Sequence, residues 1–341
     1  RRFTMIKPEE IQIKKIIIHI LDTSITMPVM SMDEMPTSID INDFFAHHIC
    51  KTTNDDALRN CVFDEEYNLF LNYLKEYRDE IIDFVTFSKQ TAGQLFSIMS
   101  AHINIPSADL AIIQYRYNMH DYLALLKLNY QNTFIHFTDY ESDVNINTII
   151  QHRTTLPNYG QKITEAAVID LETFDVQLLD KLVDIDGEKK HYLSTLFFKC
   201  HTKLSSKEQM QAVKTATNKV AKKYFDTDIE KKAEITEKLY SNLNEEGELD
   251  LESFAKEAFP AQDEAKEIFF STLEKKGIDE PKIAITEKTI NRTFEKQRIK
   301  TDEGIEIKIP MDFYNNPQKM EFVTEPNGKI SIIIKDINKI M

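Results

Sequence analysis

Residues 109–130 read DLAIIQYRYNMHDYLALLKLNY, two runs rich in Ile, Tyr and Leu around the polar quartet Asn118-Met119-His120-Asp121. Short apolar runs joined by turn-forming residues specify an antiparallel hairpin. TFIHF (133–137) is expected to add a third strand, and EAAVIDL (165–171) reads as another. Upstream, IKKIIIHILD (13–22) has strand composition. Helical spacing takes over between these strands. DINDFFAHHICKTT (40–53) is predicted as a helix capped by Asp40, with Ile41, Phe44, Phe45 and His48 on one face. From Asp64, residues Tyr67, Phe70, Leu71, Leu74 and Tyr77 keep steps of three and four, and a further helix runs through Phe87 to Met99, before Pro106. Strands neighbouring in sequence, with helices between groups of them, indicate an antiparallel sheet with helices against it, not alternating β-α-β units.

From about residue 186 the pattern becomes helical. Ser205 and Glu208 form a capping-box pair ahead of Met210, Val213, Thr217, Val220 and Tyr224. A second helix is predicted over about 227–243, another from residue 251, and FFSTLEKK (269–276) continues to Gly277. The chain closes with GIEIKIP (304–310) and with MEFVTEPNGKISIIIKDI (320–337), whose Pro-Asn-Gly supplies a hairpin turn. The expected fold class is therefore α+β. It has an N-terminal antiparallel sheet with helices (1–185), followed by a mostly helical region and a C-terminal β-hairpin (186–341).

Within the helical region, NLNEEGELDLES (242–253) raises the question of calcium. It places Asn242, Asn244, Glu246 and Asp250 at positions 1, 3, 5 and 9 of a helix-flanked calcium loop, with Gly247 at the turn. Position 12 is Ser253 where a bidentate carboxylate is needed, and position 1 is a neutral amide. Too little negative charge remains to strip water from a hard cation, so the stretch reads as a corner between helices with Asp250 as N-cap.

At 341 residues the chain exceeds one comfortable core, and 42% hydrophobic with 29% charged residues is an ordinary globular composition. The most apolar early stretch, IIIHIL (16–21), is far shorter than a membrane span. Cys50, Cys61 and Cys200 are an odd number without a C-x-x-C pair, which suits a reducing cytoplasm better than a disulfide framework. No glycine-rich phosphate loop is present among the seven glycines. His47, His48 and Cys50, and likewise Cys200 with His201, lack the spacing of a zinc site. His19 and His136 fall in strand-like runs, where a hydrogen-bonded structural histidine is expected. Carboxylate and lysine fragments of the E-x-K type recur at Glu188, Glu230 and Glu274 and are interchangeable, so they single out no catalytic group and no cofactor.

The charge distribution is more telling. The net charge is −14, yet between Gly187 and Lys232 eleven lysines face five acids, an excess of six. Screening over about 8 to 10 Å lets such a local patch act apart from distant acids. On a helical projection Gln211, Lys214, Asn218 and Lys222 form a stripe opposite the apolar face, flanked by Lys219 and Lys223. A second excess lies at Lys288, Arg292, Lys296, Arg298 and Lys300. Few aromatics interleave with these cations, so contact with a duplex backbone is favoured over single-strand stacking.

EAAVIDLETFD (165–175), HYLSTLFFKCHTKLSSKEQMQAVKTATNKV (191–220), GELDLESFAKEAF (247–259) and the C-terminal strands follow in an order that resembles the bacterial nucleoid-associated protein family. ILDTSITMPVMS (20–31) and DINDFFAHHI (40–49) extend the resemblance more loosely toward the N-terminus. The resemblance implies a cytoplasmic, chromosome-associated protein that binds double-stranded DNA with little sequence preference and has no catalytic residues. It also implies a basic stretch near LFFKCHTKLSS (196–206), where this chain has Lys199, Lys203 and, just beyond, Lys207. A homodimer would double a modest basic patch. The alternative is an interaction module that docks on a DNA-processing protein and reaches the chromosome without touching DNA.

Overall fold

The computed structural model describes residues 5–139, 146–226, 228–244, 246–260, 262–300, 303–310, 313, 316, 318–325 and 330–337. The chain separates into two compact units, one comprising residues 5–203 and the other principally residues 204–341. Residues 186–203 pack with the first unit.

In that unit the elements run β1 (Gln12–Leu21), α1 (Ile39–Thr53), β2 (Arg59–Phe63), α2 (Leu69–Arg78), α3 (Phe84–Ala101), β3 (Ala108–Tyr117) and β4 (His120–Asn129). Then come β5 (Gln131–Asp139), β6 (Ile146–Thr155), β7 (Ala166–Asp170), β8 (Val176–Leu179), β9 (Leu182–Ile185), β10 (Glu188–His191) and β11 (Cys200–Thr202). Seven of these strands make one antiparallel sheet in the order β1-β3-β4-β7-β8-β2-β11.

The period of two along each strand separates two cores. Leu110, Ile112, Leu123, Leu125, Ala167 and Ile169 meet Phe70, Leu74, Phe87 and Leu95 of α2 and α3 on one face. Ala111, Ile113, Tyr115, Ala124, Leu126 and Val168 meet Phe45, Ala46 and Ile49 of α1 on the other. Both alternating sets of β3 and β4 are thus buried, which explains why the opening stretch reads as continuous apolar runs.

The β3–β4 hairpin closes through Asn118 and Met119, with Tyr117 opposite His120. Both turn residues have positive φ, 47° and 68°, the signature of the tight turn that matches strand twist. Arg116 and Asp121 face each other beside it, and two guanidinium N–H groups donate to the carboxylate at 2.8 and 2.7 Å.

Three local expectations are corrected. The cap of α1 is Ser38, whose hydroxyl accepts from the Ile41 N–H, while Asp40 lies in the first turn. TFIHF does not join the main sheet; β5 pairs with β6 alone in a separate two-stranded ribbon. The reason is that the edge of β4 away from β3 is taken by β7. The second helix begins at Leu69 because Asn68 caps it, its amide oxygen accepting from Leu71 while its Nδ2 donates to the Asp64, Phe198 and Lys199 carbonyls.

The second unit runs α4 (Ser206–Tyr224), α5 (Ile229–Ser241), β12 (Glu248–Asp250), α6 (Leu251–Ala258), α7 (Asp263–Glu274), β13 (Lys282–Ala284) and α8 (Glu287–Phe294). Then follow β14 (Lys296–Lys300), β15 (Glu306–Pro310), β16 (Met320–Thr324) and β17 (Ile330–Ile334). Its core gathers Met210, Val213, Ala216 and Val220 of α4 with Phe254, Phe259, Phe269, Leu273 and Ile283. The two C-terminal hairpins pair antiparallel as β14–β15 and β16–β17. The Pro326-Asn327-Gly328 turn lies outside the described residues.

The corner at 242–253 is more than a reversal between helices. α5–α6 and α7–α8 are two helix–loop–helix units whose loops are tied by the short antiparallel pair β12–β13. Gly247 has φ +79°, and a Cβ there would lie 2.4 Å from the Ile285 carbonyl oxygen, so only glycine fits. Asn244 Oδ1 accepts from the Glu246 and Glu248 N–H groups, and Asp250 caps α6 by accepting from the Ser253 N–H at 2.9 Å.

Candidate nucleic-acid interface

α4 begins with the expected reciprocal cap. The Ser205 hydroxyl accepts from the Glu208 N–H, and the Glu208 carboxylate accepts from the Ser205 N–H at 3.0 Å. The buried side of the helix then follows Met210, Val213, Ala216, Thr217 and Val220. At 100° per residue, Lys207, Gln211, Lys214, Asn218 and Lys222 fall within an arc of about 80° on the other side. All are exposed except Lys214, which is half-buried. With a rise of about 1.5 Å per residue, Lys207, Lys214 and Lys222 stand roughly 10 to 12 Å apart along the helix.

Lys214 lies within electrostatic reach of Arg292 on α8. Its ammonium is held below the usual lysine range, chiefly by burial and then by the positive charge of Arg292. Arg292 is exposed and brings a second cation to the flank of the row. Among the described residues no carboxylate is paired with Lys207, Lys214 or Lys222.

The neighbouring lysines are engaged differently. Lys223 Nζ pairs with Glu264 of α7 at 2.7 Å, and Tyr224 donates to the same carboxylate at 2.6 Å. These contacts raise the Lys223 pKa, hydrogen bonding to Glu264 first, and lower that of Glu264. Lys219 Nζ reaches the Thr272 hydroxyl at 3.5 Å. Both therefore look toward α7, away from the row.

In the first unit, Lys199 is half-buried with φ +44° and donates to the Tyr67 carbonyl at 3.1 Å. Lys203 is exposed, and its N–H donates to the Asn60 carbonyl. Lys296, Arg298 and Lys300 occupy alternate positions of β14, and their side chains lie outside the described set.

The histidines and cysteines have separate surroundings. His47 Nδ1 lies 2.8 Å from the Asp43 carbonyl, His48 is buried edge-on against Phe44, and the Cys50 thiol donates to the Ile6 carbonyl. His201 pairs with Asp64 at 2.7 Å, while Cys200 is buried. Among the described residues no group of three or more His, Cys, Asp or Glu side chains is placed to hold a metal ion, and no helix is long and apolar enough to cross a membrane.

A buried ion pair escaped the reading of the sequence. Lys127 Nζ lies 3.4 Å from Glu165 Oε2, and Tyr192 donates to Glu165 Oε1 at 2.5 Å. Asn129 also donates to Glu165, and Lys127 donates to the Pro106 carbonyl at 3.1 Å. Its one visible signal was a lysine inside an apolar strand, LALLKLNY.

Comparison with curated proteins gives no match. A family model described as nucleoid-associated protein YejK matches residues 17–341, which spans the sheet, the α4 row and the C-terminal strands. The chain belongs to the nucleoid-associated protein family.

Proposed function

We propose that this protein associates with the bacterial nucleoid by binding double-stranded DNA through its phosphates, with little sequence preference and without catalysis. The observation that carries this reading is the α4 row. Lys207, Lys214 and Lys222 share one helix face with Gln211 and Asn218, and Arg292 stands on its flank. Lysines spaced along a rigid helix can neutralise phosphates and release their counterions, while the two amides can donate to phosphate oxygens. Lysine is a compact, strongly hydrated point charge on a flexible stem, without the planar fork of arginine, so this row suits positioning on a backbone. The family name supports the nucleoid as its location.

Lys219 and Lys223 of the second unit are proposed as subordinate cations beside the row, and Lys199 and Lys203 of the first unit, with Lys296, Arg298 and Lys300 of β14, are proposed as further cations for phosphate, each within its own unit. Lys199, Lys219 and Lys223 would first give up the partners described above.

Competition by unlabelled duplexes of unrelated sequence tests the reading. Duplexes of equal length should displace a bound fluorescent duplex at similar concentrations, and the DNA should stay intact when magnesium or manganese is added. A duplex preferred more than about a hundredfold contradicts backbone-directed binding, as specific readout exceeds that ratio. Cleavage would contradict the non-enzymatic part. Nucleoid localisation in cells without any DNA binding in solution would support docking on a DNA-processing protein instead.

A further inference from the structure

The five lysines of α4 are held in different ways. Lys223 pairs with Glu264, Lys219 reaches the Thr272 hydroxyl, and Lys207 and Lys222 stand in water. Lys214 is unlike all four. Its side chain is half-buried, and among the described residues its Nζ has neither a carboxylate nor a hydrogen-bond partner. The charge that acts on it is a like one, that of Arg292 on α8. Solvent still reaches the amine, since the sealed and unpartnered side-chain atoms of this unit belong to Gln209, Thr217 and Gln262.

We propose that Lys214 is a site of acylation, taking an acetyl group from small anionic donors of the acyl-phosphate class. A lysine amine becomes a nucleophile when desolvation or a neighbouring cation favours loss of its proton. Both conditions meet at Lys214, and at no other lysine of α4 is the ammonium half-buried without a partner. The donor is an anion, so Lys207, Lys222 and Arg292 raise its concentration around the amine.

In the step, the neutral Lys214 Nζ attacks the carbonyl carbon of acetyl phosphate. An amide N–C bond forms, the C–O bond to phosphorus-bound oxygen breaks, phosphate leaves with that electron pair, and the amine gives one proton to solvent. The product is an uncharged amide, which costs less to half-bury than an ammonium beside a guanidinium. The consequence for DNA rests on the reading of α4 given above: acetylation removes the central cation of the row, and the slope of log affinity against log salt should become shallower by about 0.9.

The acylation itself is tested without DNA. The full chain is incubated with acetyl phosphate, and the acetylated fraction at each lysine is followed by peptide mass spectrometry at low conversion. Lys214 should react at least about threefold faster than Lys207 or Lys222, as the amine that loses its proton more readily. This comparison is made within the parent protein and needs no variant. A Lys214 rate no higher than those of Lys207 and Lys222 overturns the proposal. Arg292→Gln, checked for folding by circular dichroism, should lower the ratio of the Lys214 rate to the Lys207 rate, and an unchanged ratio overturns the part given to Arg292. Acetylated and untreated protein are then compared by anisotropy with a labelled duplex over a salt series. Equal slopes overturn the consequence for DNA, whereas no binding by either form contradicts the reading of α4 and leaves the acylation result standing.

Discussion

His19 lies buried on β1, with Nε2 3.0 Å from the Ser88 hydroxyl and Nδ1 accepting from the Ser31 N–H. Burial, with the charge of Lys89 adding to it, lowers its pKa from 6.5 to about 4. Between those values the unfolded chain binds a proton that the folded chain does not, so stability rises with pH there. Stability should therefore be full above about pH 6.5, fall by up to about 3 kcal/mol on acidification, and level off in this contribution below about pH 4. Denaturant titrations across that range should show a flatter profile in His19→Gln. An equally steep profile would assign the acid sensitivity to other groups. Met119 gives a second test, because a non-glycine residue at φ 68° carries left-handed strain. Met119→Gly, at a well-exposed turn position, should raise stability by about 1 kcal/mol in the same titration. Any loss would contradict a strained turn.

At the scale of elements, α4 has a working face and a structural flank, and variants should separate them. Lys207→Gln with Lys222→Gln should weaken DNA binding roughly tenfold at low salt. Lys219→Gln with Lys223→Gln should change it by less than about threefold, since those side chains look toward Thr272 and Glu264. Anisotropy titrations compare the pairs, and the opposite ranking would move the interface toward α7.

The stripe on α4 and its cap were legible in the sequence because both depend on spacing within one helix. The engagements of Lys199 with Tyr67 and of Lys223 with Glu264 were not, because their partners are 132 and 41 residues away. The same limit governs strands. TFIHF has strand composition, but only the capture of the β4 edge by β7 decides that it forms a free ribbon. The cap of α1 was misread for a smaller reason: Ser38 and Asp40 are both good cap residues two positions apart, and composition does not rank them.

At the scale of the molecule, an acidic chain is proposed to bind a polyanion. That combination makes salt the natural control variable, since the local cations attract DNA while the remaining charge of the chain repels it. Four phosphate contacts, from Lys207, Lys214, Lys222 and Arg292, give a slope of log affinity against log salt of about −3.6. Affinity should then fall roughly a hundredfold between about 50 and 200 mM salt. The antiparallel sheet, the helical second unit and the β16–β17 hairpin were readable as classes of structure, whereas β14, the partner of β15, was seen only as a run of cations. The link between the α5–α6 and α7–α8 loops was not, because β12 and β13 are only three residues each and pair across more than thirty positions.

The most direct measurement is fluorescence anisotropy of a labelled duplex titrated with the parent protein and with Lys207→Glu, Lys214→Glu, Lys222→Glu, repeated over a salt series. The account predicts steep salt dependence for the parent and loss of binding in the folded variant. Equal binding by both proteins, or no binding by the parent even at low salt, would contradict the assignment of DNA contact to α4.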